Sequence, residues 1–444
     1  MKTLAPIRTI LVLAAVLPAV AAAQQELSLD DALRLAHDES HRLKAAGQAV
    51  AAAAAGVRTA RAEMLPALGV VATRVDYDGD VFYARFVNPA APGEPNPDAE
   101  PTDVGDFSAT SAAVLKLTQT LYAGGALRSR VRAGQVERRI AEEDQRQQRL
   151  DLDYDVTRAY YDVLLAEQAV EVARQSVSRS QETLDAVRRR RAAEEALAVE
   201  ELGAESHLAA DRHRLLAAEN DARFARLELR RLLAGAPAAA QPRLTEALER
   251  PPRQLDEEQA VRLARDRHPA LARGELRVAL AEEHAAGARA HFRPKLELEG
   301  YHAWIDSETF FEGTTYGFDV KVSIPFFRDV AAGGGARAQA AAARELERSA
   351  LAEAGSALEL LARQAVRRAQ EAYGAADVAR GALDYQREKH RVTASAFREQ
   401  LVTAGDLMSE HAALAEAELR FLAAQHHARL AEAELDRSVG GPEP

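Results

Sequence analysis

There is no cysteine anywhere in the 444 residues. That excludes a disulfide framework, a zinc–thiolate site and a lipid-bearing thiol at an N-terminal cleavage site. Long hydrophobic runs are equally scarce. Beyond the N-terminus no stretch approaches the ~18 strongly apolar residues that a helix needs to cross a bilayer, so any crossing has to be made of strands. Aromatic residues are 5% of the chain while 28% are charged. This balance argues against one compact core and, with abundant Ala, Glu and Arg, suits long helices packed closely together. Positive charge is also short: a net charge of −11 excludes nucleic acid as a partner, because phosphates need a basic face. Proline is missing from two tracts, between Pro101 and Pro237 and between Pro325 and Pro442. Proline breaks helix interiors, so Pro-free tracts this long and rich in good helix formers predict helix.

The N-terminus has a basic start at Lys2 and Arg8, a short apolar run from Ile10 to Leu17, and a small-residue site at Ala21-Ala22-Ala23. Residues 1–23 therefore read as a secretory signal peptide, with the mature chain starting at Gln24.

What remains says the same thing twice. Ala32-Leu33-Arg34-Leu35-Ala36 leads to Pro66, and Ala260-Val261-Arg262-Leu263-Ala264 leads to Pro294, both at an offset of 228 (260 − 32 and 294 − 66). Each copy predicts a medium helix, a β-hairpin and a long helical hairpin, and internal repeats decide architecture before local detail does. The first copy covers 24–254, with its β-hairpin at about 67–121, its helical hairpin at about 126–234 and a Pro-rich linker from Gly235 to Gln254. The second covers 255–444, with a β-hairpin at about 295–327 and a helical hairpin at about 336–438. Heptads mark the helices: Val156, Val163, Val170, Val177 and Leu184, then Leu208, Leu215, Ala222 and Leu229, and in the second copy Leu407, Leu414, Phe421, Ala428 and Leu435. A sustained seven-residue period means left-handed supercoiling, and the Ala positions between allow close approach. A helix over Ala126–Ala192 would be roughly 100 Å long. Its return arm is shorter, leaving room for the entry helices, Ser28 to Met64 in one copy and up to Phe292 in the other.

The strands alternate. Tyr316, Phe318, Val320, Val322 and Ile324 share one parity and Thr315, Asp319, Lys321 and Ser323 the other, while Leu296, Leu298 and Trp304 oppose Glu297 and Glu299. Ala113, Leu115 and Leu117 alternate with Lys116, Thr118 and Thr120. Segments of about ten residues, apolar outward and polar inward, are the signature of a transmembrane barrel; a soluble sheet with one buried face alternates identically. The signal peptide favours the barrel, with Trp304, Tyr316, Phe318 and Val320 facing lipid. The acidic, Pro-rich run from Asn88 to Pro101 lengthens the first hairpin and reads as an exposed loop.

These residues carry a resemblance. Leu29-Asp30-Asp31-Ala32-Leu33, Leu65-Pro66, Gln119-Thr120-Leu121-Tyr122-Ala123-Gly124-Gly125 and Ser323-Ile324-Pro325-Phe326-Phe327, in order across nearly the whole mature length, resemble the TolC-type outer-membrane efflux and secretion channels. The resemblance implies a mainly α trimeric channel in which each chain gives four strands to one shared membrane β-barrel and two helical hairpins to a periplasmic coiled-coil tunnel. It implies an outer-membrane location with a large periplasmic part. The implied role is passive exit duct of a tripartite efflux or type I secretion system, with an inner-membrane pump and a periplasmic adaptor. Glycines at the strand–helix junctions, Gly124 and Gly125 in the first copy and Gly333 and Gly334 in the second, are expected to let the chain swing between elements. Gln400-Leu401-Val402-Thr403-Ala404-Gly405-Asp406-Leu407 matches the family's lower turn, where a lumen-facing acid helps close the mouth; the matching residue is Asp406. The alternative for Asp406 is a helix cap. The run Arg188, Arg189, Arg190 and Arg191 near the first lower turn reads either as a solvated face or as a docking patch for the adaptor tip.

Catalytic chemistry does not stand out. His37 and His41 are four apart, but the metalloprotease pattern needs Glu directly after the first His and here it is one position late. His426 and His427 are adjacent and point in different directions on a helix. No enzyme activity, metal or cofactor is expected. A periplasmic coiled-coil scaffold without a channel is the competing function; it accounts for the heptads and signal peptide, but not for four alternating strands.

Overall fold

Ser28 sets the start of the first helix. Its hydroxyl accepts from the Asp31 N–H at 3.1 Å and donates to the Asp31 carboxylate at 2.6 Å, so the two residues satisfy each other at the helix end. The computed structural model describes residues 26–75, 110–235, 243–249, 251, 253, 256–306 and 313–441. The signal peptide and the Asn88 to Pro101 loop lie outside them. In chain order the elements are β1 (Glu26–Leu27), α1 (Leu29–Glu39), α2 (His41–Ala62), β2 (Ala67–Val75), β3 (Thr110–Ala123), α3 (Ala126–Ala192), α4 (Ala198–Leu232), β4 (Arg243–Leu244), α5 (Glu257–Arg267), α6 (Pro269–Ala288), β5 (Lys295–Asp306), β6 (Gly313–Ser323), α7 (Arg328–Arg398) and α8 (Ala404–Ser438), with one 3₁₀ turn at Arg289–Phe292. Strands β2, β3, β5 and β6 form one antiparallel sheet in that order, so the hairpins of the two copies pair through β3 and β5.

Two expectations need correction. The entry helices, read as unbroken, each break once, at Ser40 and at His268, again 228 residues apart (268 − 40). Pro269 forces the residue before it out of the helical region, and His268 sits at φ −73°, ψ 124° with its Nδ1 accepting from the Ala270 N–H. Ser40 adopts nearly the same backbone, φ −56° and ψ 122°, without a proline. The last hairpin also begins earlier than residue 336, at Arg328.

The chain falls into two compact units, each assembled from both sequence copies. One comprises Met1–His41, Leu152–Gln254 and Arg368–Glu434, the other Arg42–Asp151, Leu255–Arg367 and Leu435–Pro444. In the first unit the heptad positions Val156, Ala159, Val163, Val170, Leu184 and Val187 of α3 are buried. Tyr160, fully buried beside them, ties down the short parallel pair β1–β4. Its hydroxyl donates to the Leu27 carbonyl at 2.8 Å and accepts from the N–H groups of Thr245 and Glu246 at 3.2 and 3.3 Å. Burial raises the phenol above its ordinary pKa, so it stays a neutral donor. Tyr160→Phe removes all three bonds and leaves the Leu27 carbonyl and the Thr245 N–H only their mutual contact at 3.3 Å, so about 1–3 kcal/mol of stability should be lost. Thermal unfolding of the full chain in detergent measures this, and an unchanged midpoint would show that the anchor is dispensable.

Candidate functional site

Within the first unit the helices pack in the order α4, α3, α8, α7. Side-chain bonds link α3 to α4 (Ser180 to Asp211, Arg226 to Glu167), α3 to α8 (Thr183 to His411, Asp162 to His426) and α8 to α7 (Glu410 to Lys389, Glu434 to Arg368). Helices α4 and α7 are thus the two outer members. Each carries exposed apolar side chains among its charged ones: Leu202, Leu216, Phe224 and Leu227 on α4, and Val378, Tyr385 and Val392 on α7. Among the described residues of this unit none of the large exposed apolar side chains lies on α3, and Leu419 alone lies on α8. The stripe on α7 runs every seventh residue, a signal present in the sequence that the reading passed over.

The two hairpin turns share one backbone. Glu194 and Gln400, 206 residues apart (400 − 194), take φ of 60° and 63°. Glu195 N–H bonds to the Arg190 carbonyl at 2.8 Å, and Leu401 N–H to the Ala396 carbonyl at 2.9 Å, the bond that closes a helix whose next residue is left-handed. Below the turns Leu184, Val187, Ala204, Leu208, Phe397, Ala404, Leu407 and Met408 form one buried cluster.

Asp406 is exposed in the third position of α8 and faces back to its start. Its carboxylate accepts from the Thr403 N–H at 3.0 Å and hydroxyl at 2.7 Å, while its own N–H donates to Thr403 Oγ1 at 3.1 Å. These bonds hold its carboxyl below the usual carboxylate range. The capping residue is therefore Thr403, and Asp406 completes the box from the third position; the spacing Thr-x-x-Asp was legible and was missed. At the equivalent first turn Leu197 is the cap and offers no side-chain bond.

The arginine run is mostly engaged within the chain. Arg188 pairs with Glu201 at 3.0 Å and Glu205 at 2.6 Å, and Arg191 also pairs with Glu201. Arg190 bonds the Phe397 carbonyl and lies 4.2 Å over that ring. No ion pair of Arg189 is seen among the described residues. His37 bonds Asp153 and His426 bonds Asp162, while His41 and His427 are exposed. Among the described residues no group of three or more His, Asp or Glu is placed to hold a metal.

In the second unit the register sorts the sheet faces. Trp304, His302, Gly300 and Leu298 align with Ala113, Leu115, Leu117 and Gln119 on β3 and with Thr314, Tyr316, Phe318 and Val320 on β6. Leu68, Val70 and Ala72 continue that face on β2. Glu297, Glu299, Asp319 and Lys321 lie on the opposite face, with Lys116, whose ammonium is 3.0 Å from Glu299. A bulge between Thr120 and Tyr122 shifts the parity, so that Tyr122 pairs with Leu296 and joins the apolar face. Gln119, the polar residue there, donates to the Met64 carbonyl at 2.9 Å.

The junctions differ from the reading. Gly124 and Gly125 have φ of 62° and 96° between strand and helix, and a Cβ on Gly124 would stand 2.9 Å from the Ala290 carbonyl oxygen and from Arg293 Cβ. Gly333 and Gly334 do not form the second junction: they lie inside α7, and the left-handed residue after the strand is Phe327 at φ 42°. Gly333 is small for another reason, since a Cβ there would meet His291 Cβ at 2.9 Å.

None of the described helices is long and apolar enough to cross a membrane. The chain matches the family profile described as outer membrane efflux protein over residues 32–235. None of the curated proteins matches it by sequence. Among solved structures it is similar to a membrane protein from Pseudomonas aeruginosa (20% identity, 93% of this chain and 90% of that one, TM-score 0.78). It is also similar to the outer membrane protein VceC from Vibrio cholerae (17%, 93% and 96%, TM-score 0.74). A third is the open state of the MtrE outer membrane channel from Neisseria gonorrhoeae (19%, 93% and 89%, TM-score 0.72). At these identities the structural likeness speaks for the fold. The first copy thus resembles outer membrane efflux proteins in sequence over residues 32–235, and the chain shares the fold of these outer-membrane channels over 93% of its length.

Proposed function

We propose that three copies of this chain close into an outer-membrane exit duct, each giving four strands to one barrel and two helical hairpins to a periplasmic tunnel. The observation that carries this is the sheet. Its face bearing Leu68, Val70, Tyr316, Phe318 and Val320 is exposed, and β2 and β6 are its two edges. An open edge cannot face hydrocarbon, so such a sheet needs further copies to close it. Eight residues separate Leu296 from Trp304 (304 − 296). That is about 26 Å of strand, with Trp304 and Tyr316 toward one end and Tyr122 at the other, as an apolar band flanked by aromatic girdles requires. The exposed stripes on α4 and α7 support the same closure, since different faces meeting head to tail generate rings. A scaffold without a channel has no use for the apolar sheet face. Native mass measurement on detergent-solubilised protein should give a trimer; a stable monomer without detergent would sink the reading.

The polar sheet face then lines the lumen. Substrates pass without energy input from this chain, delivered by an inner-membrane pump through a periplasmic adaptor. Of the four arginines, Arg189 is the one we assign to adaptor contact, because its neighbours are held by Glu201, Glu205 and Phe397.

Asp406 would stand at the periplasmic mouth, one per chain. Like charges in a confined mouth focus a negative potential that draws cations. Asp406→Asn keeps a hydrogen-bonding side chain at the third helical position and removes the charge. Conductance in planar bilayers should lose most of its cation preference and its divalent block. If both persist while folding is intact, the residue serves Thr403 alone.

A further inference from the structure

His411 occupies a place where the helix pattern asks for an apolar residue. The buried positions of α8 run Ala404, Leu407, Met408, His411, Leu414 and Ala415, and the His411 ring is only 7% exposed. Its Nδ1 lies 3.1 Å from Nε2 of His390 on α7, and its Nε2 lies 3.2 Å from Thr183 Oγ1 on α3. The two ring centroids are 4.9 Å apart. Facing nitrogens at this separation share one proton, donated by one neutral ring and accepted by the other.

The charges around the pair come from three helices. From α3, Arg179 approaches, its guanidinium 3.6 Å from Glu418 of α8. Also on α8 is Glu410, held by Lys389 and Gln386 of α7, each at 2.7 Å. Arg179 Nε and Glu418 Oε2 are buried without a hydrogen-bond partner, so the seam is already short of good polar geometry.

We propose that the His390–His411 pair is an acid-operated seam. Neutral and hydrogen-bonded, it holds α7 and α8 against α3 directly above the tip cluster. When both rings carry protons, two cations face each other beside Arg179 and drive the helices apart. Thr183 adjoins Leu184, and Met408 lies one helical turn before His411, so loosening here reaches the tip cluster at once. The inference rests on the packing of these three helices and is independent of whether the chain forms a duct.

Burial, the neighbouring ring and Arg179 push His411 down to about 4. Burial and Arg179 lower His390 too, against the pull of Glu410 and Glu418. A histidine lowered in the folded state contributes stability that is complete above its free value of 6.5 and is lost as pH falls toward 4. For His411 alone, opening of the segment that buries it should become about 20-fold more frequent between pH 7 and pH 5.

Hydrogen exchange of the full chain in detergent, corrected for the pH dependence of intrinsic exchange, reads this directly over residues 404–414. Wild type should show the rise, and so should Asp406→Asn. The double variant His390→Gln with His411→Gln should hold its exchange within about threefold over the same range, since neither side chain titrates. No rise in wild type would overturn the proposal, and that result needs no variant to fold. An equal rise in the double variant would overturn it as well.

Discussion

Phe318→Arg is expected to leave little or no assembled protein in the outer-membrane fraction, while Asp319→Arg, one residue along, should assemble normally. The contrast comes from the pleat: neighbours on a strand point to opposite faces. Phe318 is opposite Gly300, midway between Leu296 and Trp304, on the face with Val320 and Tyr316. In the proposed barrel, arginine at the middle of a lipid-facing strand costs about 2–4 kcal/mol, borne once per chain. Asp319 is opposite Glu299 on the polar face, where an arginine gains an acidic neighbour. Membrane fractionation followed by gel migration of unheated samples measures both. Equal recovery of the two variants would mean that neither face meets lipid.

The second large effect is at the first strand–helix junction. Gly124→Ala should destabilise the protein by about 2–5 kcal/mol, combining a left-handed backbone that L side chains resist with overpacking. The added Cβ would press on the Ala290 carbonyl oxygen and on Arg293 Cβ, both 2.9 Å away, and neither is the free end of a flexible chain. Gly334→Ala should do the reverse. That residue is helical with open space where a Cβ would go, and alanine there is worth up to about 1 kcal/mol. Thermal unfolding of the two variants in the same detergent should move in opposite directions; a shared direction would refute the assignment of Gly124 as the strained junction.

That pair of glycines shows where sequence reading stops. A glycine needed for a left-handed turn and one needed for a close approach, as Gly333 is against His291, look the same in a string of letters. The strand faces were legible where apolar and polar residues alternate cleanly, from Lys295 to Glu299 and from Tyr316 to Ser323. Tyr122 was not, because one extra residue at the bulge flips parity without any mark in composition. Pro269 announced a helix break and was overlooked, whereas Ser40 breaks its helix with no comparable signal. The Thr403–Asp406 box is local and could have been read. The contacts of His411 could not: its partners stand 21 and 228 residues away, and a lone histidine in a heptad gives no hint of which ring it will meet.

The two hairpin turns hold a lesson about what a duplicated chain keeps. At 206 residues apart, Glu194 and Gln400 have nearly the same φ and the same closing hydrogen bond, yet Leu197 stands where the other copy has Thr403, and Glu200 where it has Asp406. The two turns share handedness and differ in residue identity. Neither turn uses glycine at the left-handed position, so letter-by-letter matching loses the repeat at its far ends, while matching the sign of a single dihedral angle finds it.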